Sequence, residues 1–409
     1  MSEIRPLAPD EFTLFVDIVT NAYPGWKIED KEKITKRLIE INEQDSTVAF
    51  YGLFRRGRLL GGMRLHNFRM NFFNCRIDAG GVGLIAVHLL HKKERVAKEM
   101  VEFFLHHYRA QGAPLALLYP FRPDFYHQMG FGLGSKINQY RVPPNALPRS
   151  SSKAHVRYLD ARDQQALGDC YARTVDRTHG MIEKSANELR SLLKQHVVGY
   201  EKDGRIEGYL AFTFAQGENW LINDIQVQEL VYENRETLLE LVTFLHTQFD
   251  QIRHIIINTH EEFFHYLLLD PRNSSNNIIP PVYHESNVQG TGIMYRVIDV
   301  PAALDILANR DWGGQTCCIR LTIRDTFLPE NGGRWLLQME NGELQMPVTG
   351  EHEVELQMDI AEFSALLIGA VDFHSLYRYG LADVSDPAFV PVLGKAFAAE
   401  TRPVCTTQF

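Results

Sequence analysis

The sequence predicts a mixed α/β (α+β) protein built from three consecutive segments. Over the first 140 residues, stretches with helical apolar spacing alternate with stretches typical of strands. Residues 143–153 and 280–292, which are rich in Pro, Ser or Gly, interrupt this periodicity and divide the chain. The second segment repeats the order of the first (helix, helix, hairpin, strand, helix, strand), which indicates a diverged duplication.

Composition excludes several classes of function. The 409 residues are 45% hydrophobic and 23% charged, which is typical of a folded soluble protein. The net charge is −9 and no basic run of five residues occurs, so we expect no binding to nucleic acid. The longest apolar stretch, 363–371, is far too short for a membrane span, and the acidic N-terminus does not resemble a signal peptide. Five cysteines without CxxC spacing predict reduced thiols in the cytoplasm.

The first segment contains the strongest periodic patterns. We predict helices at 8–22, 29–43 and 94–109, a short helix at 124–129, and strands at 47–54, 59–68, 75–87 and 114–119, with a last strand ending at Val142. Gly80, Gly81 and Gly83 interrupt the third of these strands. Glycines inside a strand indicate a bulge, or a place where another backbone or a ligand comes close.

The other two segments follow from the same periodicities. In the second segment we predict helices at 160–175, 185–196 and 234–250 and strands at 197–202, 205–215, 219–228 and 252–258. In the third we predict helices at 300–310, 359–371 and 387–399 and strands at 319–325, 333–340 and 342–346. Asn341-Gly342 predicts a tight hairpin between the last two strands.

Residues 82–132 carry the pattern that points to chemistry. A strand ends at Val87, a loop follows, and a helix begins near Glu94. Such a junction directs free backbone N–H groups and the positive end of a helix dipole at one spot, which suits a pyrophosphate. Three cations lie beside it: Lys92, Lys93 and Arg95. The same spacing also fits a solvated helix N-terminus with surface lysines, and both readings stay open at this point.

The element Tyr126-x-x-x-Gly130-Phe131, together with the basic loop, resembles the GNAT acetyltransferases. The whole chain is similar to their Eis-like branch, the enhanced intracellular survival proteins, which end in an aromatic residue, here Phe409. The resemblance implies a GNAT acetyltransferase domain at 1–145, a degenerate GNAT-like domain at 150–290 and a sterol-carrier-protein-like domain at 294–409. It also implies a homohexamer.

The resemblance further implies acetyl-CoA as co-substrate and no metal. The positions that match the family's cofactor site are Ile85, Ala86 and Val87 in the strand, Lys92, Lys93, Arg95, Val96, Ala97 and Lys98 in the loop and helix, and Phe121 and Arg122 after the next strand. Arg95 stands where the family pattern has its first glycine. Its side chain either turns outward, where it could hold a phosphate, or weakens the cofactor site. The second domain has Gln228-Glu229 and no glycine at the corresponding turn, so we interpret it as structural.

For catalysis, the resemblance implies that Tyr126 is the general acid and that the terminal carboxylate of Phe409 is the base. An unperturbed α-carboxyl group has a pKa of about 3.5, which burial would raise. The implied acceptor is the primary amine of a cationic small molecule, aminoglycoside-like, or of a lysine. Trp26, Phe68 and Phe72 could line an acceptor pocket or belong to the core. The alternatives are a lipid- or sterol-binding protein and a non-catalytic scaffold.

Overall fold

The computed structural model describes residues 2–25, 30–219, 221–346 and 349–409. Its helices are α1 Phe12–Ala22, α2 Lys31–Gln44, α3 Val96–Ala110, α4 Pro123–His127, α5 Gln164–Arg177, α6 Ala186–Leu192, α7 Arg235–His246, α8 Val300–Ile306, α9 Ile360–Leu367, α10 Phe373–Arg378 and α11 Val390–Ala396. Its strands are β1 Ser2–Pro6, β2 Val48–Arg55, β3 Arg58–Phe72, β4 Cys75–Val87, β5 Leu115–Leu118, β6 Gly132–Leu133, β7 Lys136–Val142, β8 Val156–Tyr158, β9 His196–Lys202, β10 Arg205–Asn219, β11 Ile222–Tyr232, β12 Ile252–Thr259, β13 Ile278–Ile279, β14 Tyr283–His284, β15 Val288–Thr291, β16 Met294–Val297, β17 Cys317–Arg324, β18 Gly333–Glu340, β19 Glu343–Gln345, β20 Val354–Asp359 and β21 Ala382–Val384.

The chain folds into two compact units. The first contains Met1–Gly134, Ile293–Pro403 and Gln408–Phe409, and the second contains Ser135–Gly292 and Val404–Thr407. The last six residues therefore divide between the units, with Val404–Thr407 in the second and the final two residues in the first. Within the described residues, no helix is both long enough and apolar enough to span a bilayer.

The first unit is organised around a seven-stranded sheet in the order β1-β2-β3-β4-β5-β16-β6. β4 and β5 run parallel, but they pair only from Ala79 opposite Leu115 to Val82 opposite Leu118. β5 ends at Leu118, and beyond Val82 β4 continues without this partner along a cleft lined by residues 82–85 and Tyr119. The helix α3 packs on this sheet through apolar residues at helical spacing, among them Met100 and Phe104, which are fully buried. Burial of each such side chain contributes about 1.5–3 kcal/mol to the stability of the fold, so this face holds the helix against the sheet.

The second unit has a seven-stranded sheet of similar plan, β15-β7-β12-β11-β10-β9-β8, in which β11 and β12 are the parallel pair. A short hairpin, β13-β14, lies outside this sheet. The third predicted segment folds within the first unit as a five-stranded sheet, β19-β18-β17-β20-β21. The Asn341-Gly342 turn joins β18 to β19, with both residues at positive φ as the hairpin requires.

Two strands lie in different sheets from those that the sequence suggested. We placed β7 at the end of the first domain, yet it pairs with β12 and β15 in the second sheet. Likewise β16, which we placed at the start of the third segment, completes the first sheet between β5 and β6. The compact units accordingly divide after Gly134 rather than at residue 145. Periodicity predicts that a segment is a strand, but long-range pairing decides its sheet.

The sequence also missed β20, α10 and β21 in the third segment. β20 is parallel to β17 and half of its residues are buried, so its short apolar alternation gave a weak signal next to the following helix. The predicted helix at 300–310 ends earlier, at Ile306.

Candidate active site

The site begins with a bulge in β4. In β3, one residue separates Gly62 from Arg64. Their partners in β4, Ala86 and Gly83, are separated by two residues, so β4 has one extra residue here. The extra residue is accommodated by Leu84, whose φ of +52° is unusual for a residue with a side chain. A bulge of this kind turns the strand and interrupts its ladder, so the backbone of residues 83–85 faces the cleft rather than β5.

The three glycines of β4 each leave room for a ring or for the chain itself. A Cβ atom on Gly80 would fall 2.3 Å from the Tyr108 ring, and one on Gly81 would fall 2.1 Å from the Phe68 ring. A Cβ atom on Gly83 would fall 3.0 Å from the main-chain carbonyl carbon of Phe409. The close approach that these glycines predicted is thus confirmed, and one of the approaching groups is the last residue of the sequence.

A cavity of about 280 Å³ opens at the bulge. Aromatic, aliphatic and glycine residues make up most of its wall. The lining residues are Tyr23, Leu38, Arg64, Val82, Gly83, Leu84, Ile85, Tyr119, Phe121, Tyr126 and Phe409. All of them belong to the first unit.

The Phe409 ring is held by three other rings. Its centroid lies 4.8 Å from that of Phe68, 5.1 Å from that of Tyr119 and 5.5 Å from that of His66. The contacts with Phe68 and His66 are edge-to-face and the one with Tyr119 is tilted, and aromatic pairs add about 0.5–1.5 kcal/mol each beyond the burial of the ring. Burial, and secondarily the Arg64 charge, lowers the pKa of His66 to about 3. The imidazole is therefore neutral and adds no charge beside the Phe409 ring.

Tyr126 lies on α4, which follows β5 and the cavity-lining residues Tyr119 and Phe121. The turn after the helix is fixed by the Tyr126 carbonyl, which accepts hydrogen bonds from the N–H groups of Met129 and Phe131. The side chain is 3% exposed and lines the cavity. Among the described residues, none hydrogen-bonds to its hydroxyl, which leaves the O–H available to a ligand. Burial, assisted by the nearby Tyr23, raises the pKa of the phenol, so it stays protonated.

The predicted cofactor residues of the strand and of the next turn divide into two groups. Ile85 and Phe121 line the cavity. Ala86 and Val87 instead pack into hydrophobic clusters on the sheet, and Arg122 is exposed and pairs with Asp124. The Ile85 carbonyl accepts a hydrogen bond of 2.7 Å from the Tyr23 hydroxyl, which fixes the bulge from the other side.

The predicted phosphate loop has an unusual backbone conformation. Lys93 and Arg95 both have left-handed φ angles, of +67° and +65°, and Arg95 immediately precedes α3. No side chain caps this helix, so its first N–H groups have no side-chain acceptor. Lys92, Lys93 and Arg95 are exposed, whereas Val96 is buried and Ala97 and Lys98 are half-buried. Arg95 thus takes the conformation that glycine favours and directs its side chain to solvent.

One acidic residue within this loop is already paired. The Glu94 carboxylate lies 3.1 Å from Nδ1 of His91 and 3.4 Å from Nη1 of Arg55, which also pairs with Glu99 at 2.7 Å. These pairs offset the negative charge that would otherwise oppose a phosphate.

Sequence reasoning missed Arg64, the one charged side chain among the described lining residues. It lies on β3 beside the bulge, with Nη2 3.5 Å from the position of a Cβ on Gly83. Arg64 is one of several polar residues in β3 and belongs to no motif, so only the register of β3 with β4 could have revealed it. Of the aromatic candidates, Phe68 contacts Phe409, Phe72 is buried in the core, and Trp26 lies outside the described residues.

One group of side chains in the described ranges has metal-ligand spacing, namely His155, Glu236 and Glu240 in the second unit. His155 Nδ1 lies 3.0 Å from Glu240, and Glu236 already pairs with Lys202 at 3.0 Å. These contacts account for the cluster as an ordinary ion-pair network.

Three protein families match parts of the chain. Residues 3–134 match a family described as acetyltransferase (GNAT) domain, residues 174–297 match a second family of the same description, and residues 300–406 match the sterol carrier protein domain. These matches confirm the predicted order of two tandem GNAT domains and a sterol-carrier-protein-like domain. Among curated proteins, none matches this chain.

Solved structures share the fold over the full length. A GCN5-related N-acetyltransferase from Anabaena variabilis is 16% identical with a TM-score of 0.81, and all of both chains is covered. One from Kribbella flavida is 19% identical with a TM-score of 0.78, covering 100% of this chain and 98% of that one. Eis1 from Mycobacterium abscessus is 19% identical with a TM-score of 0.78, again covering all of both chains.

Proposed function

We propose that this chain, a GNAT acetyltransferase by its two GNAT domains, is an Eis-like enzyme that transfers acetyl from acetyl-CoA to a primary amine. The observation that carries the proposal is the meeting of the Tyr126 hydroxyl, the β4 bulge and the end of the chain around one cavity. An acid, an acyl-binding backbone and a base are the three parts that amine acylation requires.

The residues present fit the co-substrate. Exposed N–H groups at the start of α3, with Lys92, Lys93 and Arg95, would hold its pyrophosphate, and the bulge at residues 83–85 would receive the acyl arm. Bound there, acetyl-CoA supplies the acetyl group and a thiol leaving group. Phe121 is exposed at the cavity mouth and would cover the arm.

Tyr126 acts as the general acid in this proposal. The leaving sulfur needs a proton, and the buried phenol retains its proton because its pKa is raised. Its O–H has no competing acceptor within the described part of the chain, so it is free to donate into the cavity.

The terminal carboxylate of Phe409 acts as the base. The amine enters as an ammonium ion and must lose a proton before it can attack. A carboxylate above Gly83 is close to the bulge where the acyl group would lie, and the rings of Phe68, Tyr119 and His66 hold it there. It attracts the ammonium ion, and the partly apolar surroundings favour its basic function.

A thiol-release assay with acetyl-CoA and a panel of primary amines tests the proposal. We expect turnover with at least one amine, and a variant with three residues added after Phe409 should lose about 100-fold or more in kcat while it keeps its KM for acetyl-CoA. The same three residues added at the N-terminus form the control. Full activity of the C-terminally extended protein would remove the carboxylate from the mechanism.

The homohexamer implied by the resemblance is also part of the proposal. Several apolar side chains of the second unit are exposed, including Ile279, Val282 and Tyr283 around the β13–β14 hairpin. An interface between subunits would cover them. Light scattering of the purified protein tests this, and a monomeric mass would refute it.

A further inference from the structure

The cavity contains two opposite charges that are not hydrogen-bonded to each other. One is the end of the main chain at Phe409, and the other is the guanidinium of Arg64. Nη2 of Arg64 and the carbonyl carbon of Phe409 lie 3.5 Å and 3.0 Å from the same point, the Cβ position of Gly83. Both charges therefore border the spot at which the acceptor amine must meet the acyl group.

Arg64 has hydrogen-bonding capacity that the protein does not use. Its Nε is buried without a partner, and within the described ranges the guanidinium makes no hydrogen bond. Arg64 is half-buried, and a partly buried cation without a partner is costly, so a partner anion would stabilise it. The guanidinium has a planar fork of donors that matches a carboxylate or a phosphate.

Apart from the Phe409 terminus, the described residues that line the cavity supply no anion to Arg64. Burial, and secondarily the positive charge of Arg37 on α2, lowers the pKa of Arg64. Among the described lining residues, none is acidic in its side chain. A second cationic group of an acceptor would meet repulsion from Arg64. A molecule that brings its own anion would meet a partner.

We propose that Arg64 binds an acidic group of the acceptor, so that the substrate is a small amine that also carries a carboxylate, as an amino acid does. The ammonium group faces the Phe409 terminus, and the carboxylate faces Arg64. This inference rests on the proposed acetyltransferase function and narrows its substrate class. The cavity volume of about 280 Å³ suits a molecule of that size.

Matched sets of amines provide the test. For each of several amino acids, kcat/KM is measured for the amino acid, its primary amide and the amine that lacks the carboxyl group. The wild-type protein should prefer the carboxylate member by about 10- to 100-fold, the worth of a charge-assisted hydrogen bond. Arg64→Met should abolish that preference, Arg64→Lys should keep part of it, and the KM for acetyl-CoA should stay within twofold in both.

A binding measurement makes the test independent of turnover. The N-acetyl amino acid product is titrated against the wild-type protein and Arg64→Met by calorimetry, with the N-acetylated amine that lacks the carboxyl group as control. We expect binding of the acidic product to weaken about 10-fold or more in the variant, and binding of the neutral product to change little. Thermal unfolding of both proteins checks that the variant is folded.

The outcomes separate the two proposals. Acetylation of amines with no preference for a carboxylate would overturn the role of Arg64 and leave the acetyltransferase intact. An equal loss with all amines in Arg64→Met would also overturn it, because it would mean that Arg64 serves the Phe409 terminus instead. If no amine is acetylated, the proposed function fails, and Arg64-dependent binding of the acidic product still decides whether the anion site exists.

Discussion

The bulge of β4 and the bulge of β11 occupy matching places in the two sheets, yet their surroundings differ. In β4 the bulge is flanked by Gly83 and opens into a cavity. In β11 the extra residue is Gln228, between Val227 and Glu229, opposite Phe212 and Ala211 of β10. Each strand has one extra residue relative to its partner, but the β4 bulge has Leu84 at positive φ, whereas no residue of β11 has a positive φ.

At the second bulge, Glu229 closes the space with a buried polar network. Its carboxylate lies 3.2 Å from Nζ of Lys184 and accepts hydrogen bonds from the hydroxyl groups of Tyr209, at 2.7 Å, and Thr406, at 3.2 Å. Burial alone would lower the pKa of Lys184, but Glu229 holds it above its ordinary value. The segment Val404–Thr407 is thereby bound to this sheet.

The helices that follow the two bulges differ in the same way. Asn234 caps α7, since its side chain accepts a hydrogen bond of 3.0 Å from the N–H of Thr237. The start of α3 has no such cap and has Arg95 in a left-handed conformation. A side chain that caps the start of a helix occupies N–H groups that a phosphate would otherwise bind. The two bulges thus differ in backbone conformation, at Leu84, and in the side chains around them.

The largest expected effect concerns the closed bulge. Glu229→Gln removes the partner of the buried Lys184, so we expect the free energy of unfolding to fall by about 3–5 kcal/mol. Denaturant unfolding measures it. Asp78→Asn, which breaks an exposed pair with Arg69, is the control and should change stability little. An unchanged midpoint in Glu229→Gln would show that the network does not lock this bulge.

At the open bulge, Tyr126→Phe should lower kcat by about 100-fold or more and leave stability almost unchanged, because the hydroxyl serves the reaction rather than the fold. Tyr209→Phe, at the closed bulge, should show the opposite pattern, losing stability and little turnover. Since the raised pKa of Tyr126 keeps the phenol protonated, its titration should cause no loss of wild-type activity between pH 7 and 10. A wild-type rate in Tyr126→Phe would identify another acid.

Gly83→Ala tests whether the end of the chain must lie over the open bulge. The new methyl group would stand 3.0 Å from the Phe409 carbonyl carbon, which must therefore move, and we expect kcat to fall about tenfold. Gly290→Ala is the matched control, because its methyl group meets only Ile137 at an ordinary 3.7 Å. Equal activity of the two variants would argue against a catalytic terminus.

The smallest effect concerns the uncapped helix. A left-handed φ costs a residue with a side chain about 1–2 kcal/mol, so Arg95→Gly should stabilise the protein by about 1 kcal/mol. It also removes a cation beside the phosphate site, and the KM for acetyl-CoA should rise a few-fold. Thermal unfolding and steady-state kinetics measure the two effects. A lower KM would mean that the arginine obstructs the cofactor.

Much of the fold could be predicted from local patterns. The apolar spacing of α3 and the Asn341-Gly342 hairpin are local properties, and the structure confirms both. The sheets to which β7 and β16 belong could not be predicted, because the sequence of neither strand identifies its pairing partner. The glycines of β4 predicted a close approach without saying which group approaches.

For the site, the resemblance drew attention to Tyr126 and Phe409, which the structure brings to one cavity. The sequence did not reveal Arg64, because its role depends on the register of β3 with β4 and on the lack of a hydrogen-bond partner for its Nε. From spacing alone, the loop before α3 could equally be an ordinary solvated helix N-terminus. Two left-handed residues there, Lys93 and Arg95, are a backbone property that no side-chain pattern reports.

The position of β16 has a consequence for how the protein is made. The first sheet needs Met294–Val297 between β5 and β6, so a nascent chain cannot complete it until the ribosome has passed residue 297. The cleft therefore matures late in synthesis, although most of its residues emerge early. A gene fragment that stops after the first GNAT match would leave β5 with an open edge, exposed to pairing with other chains.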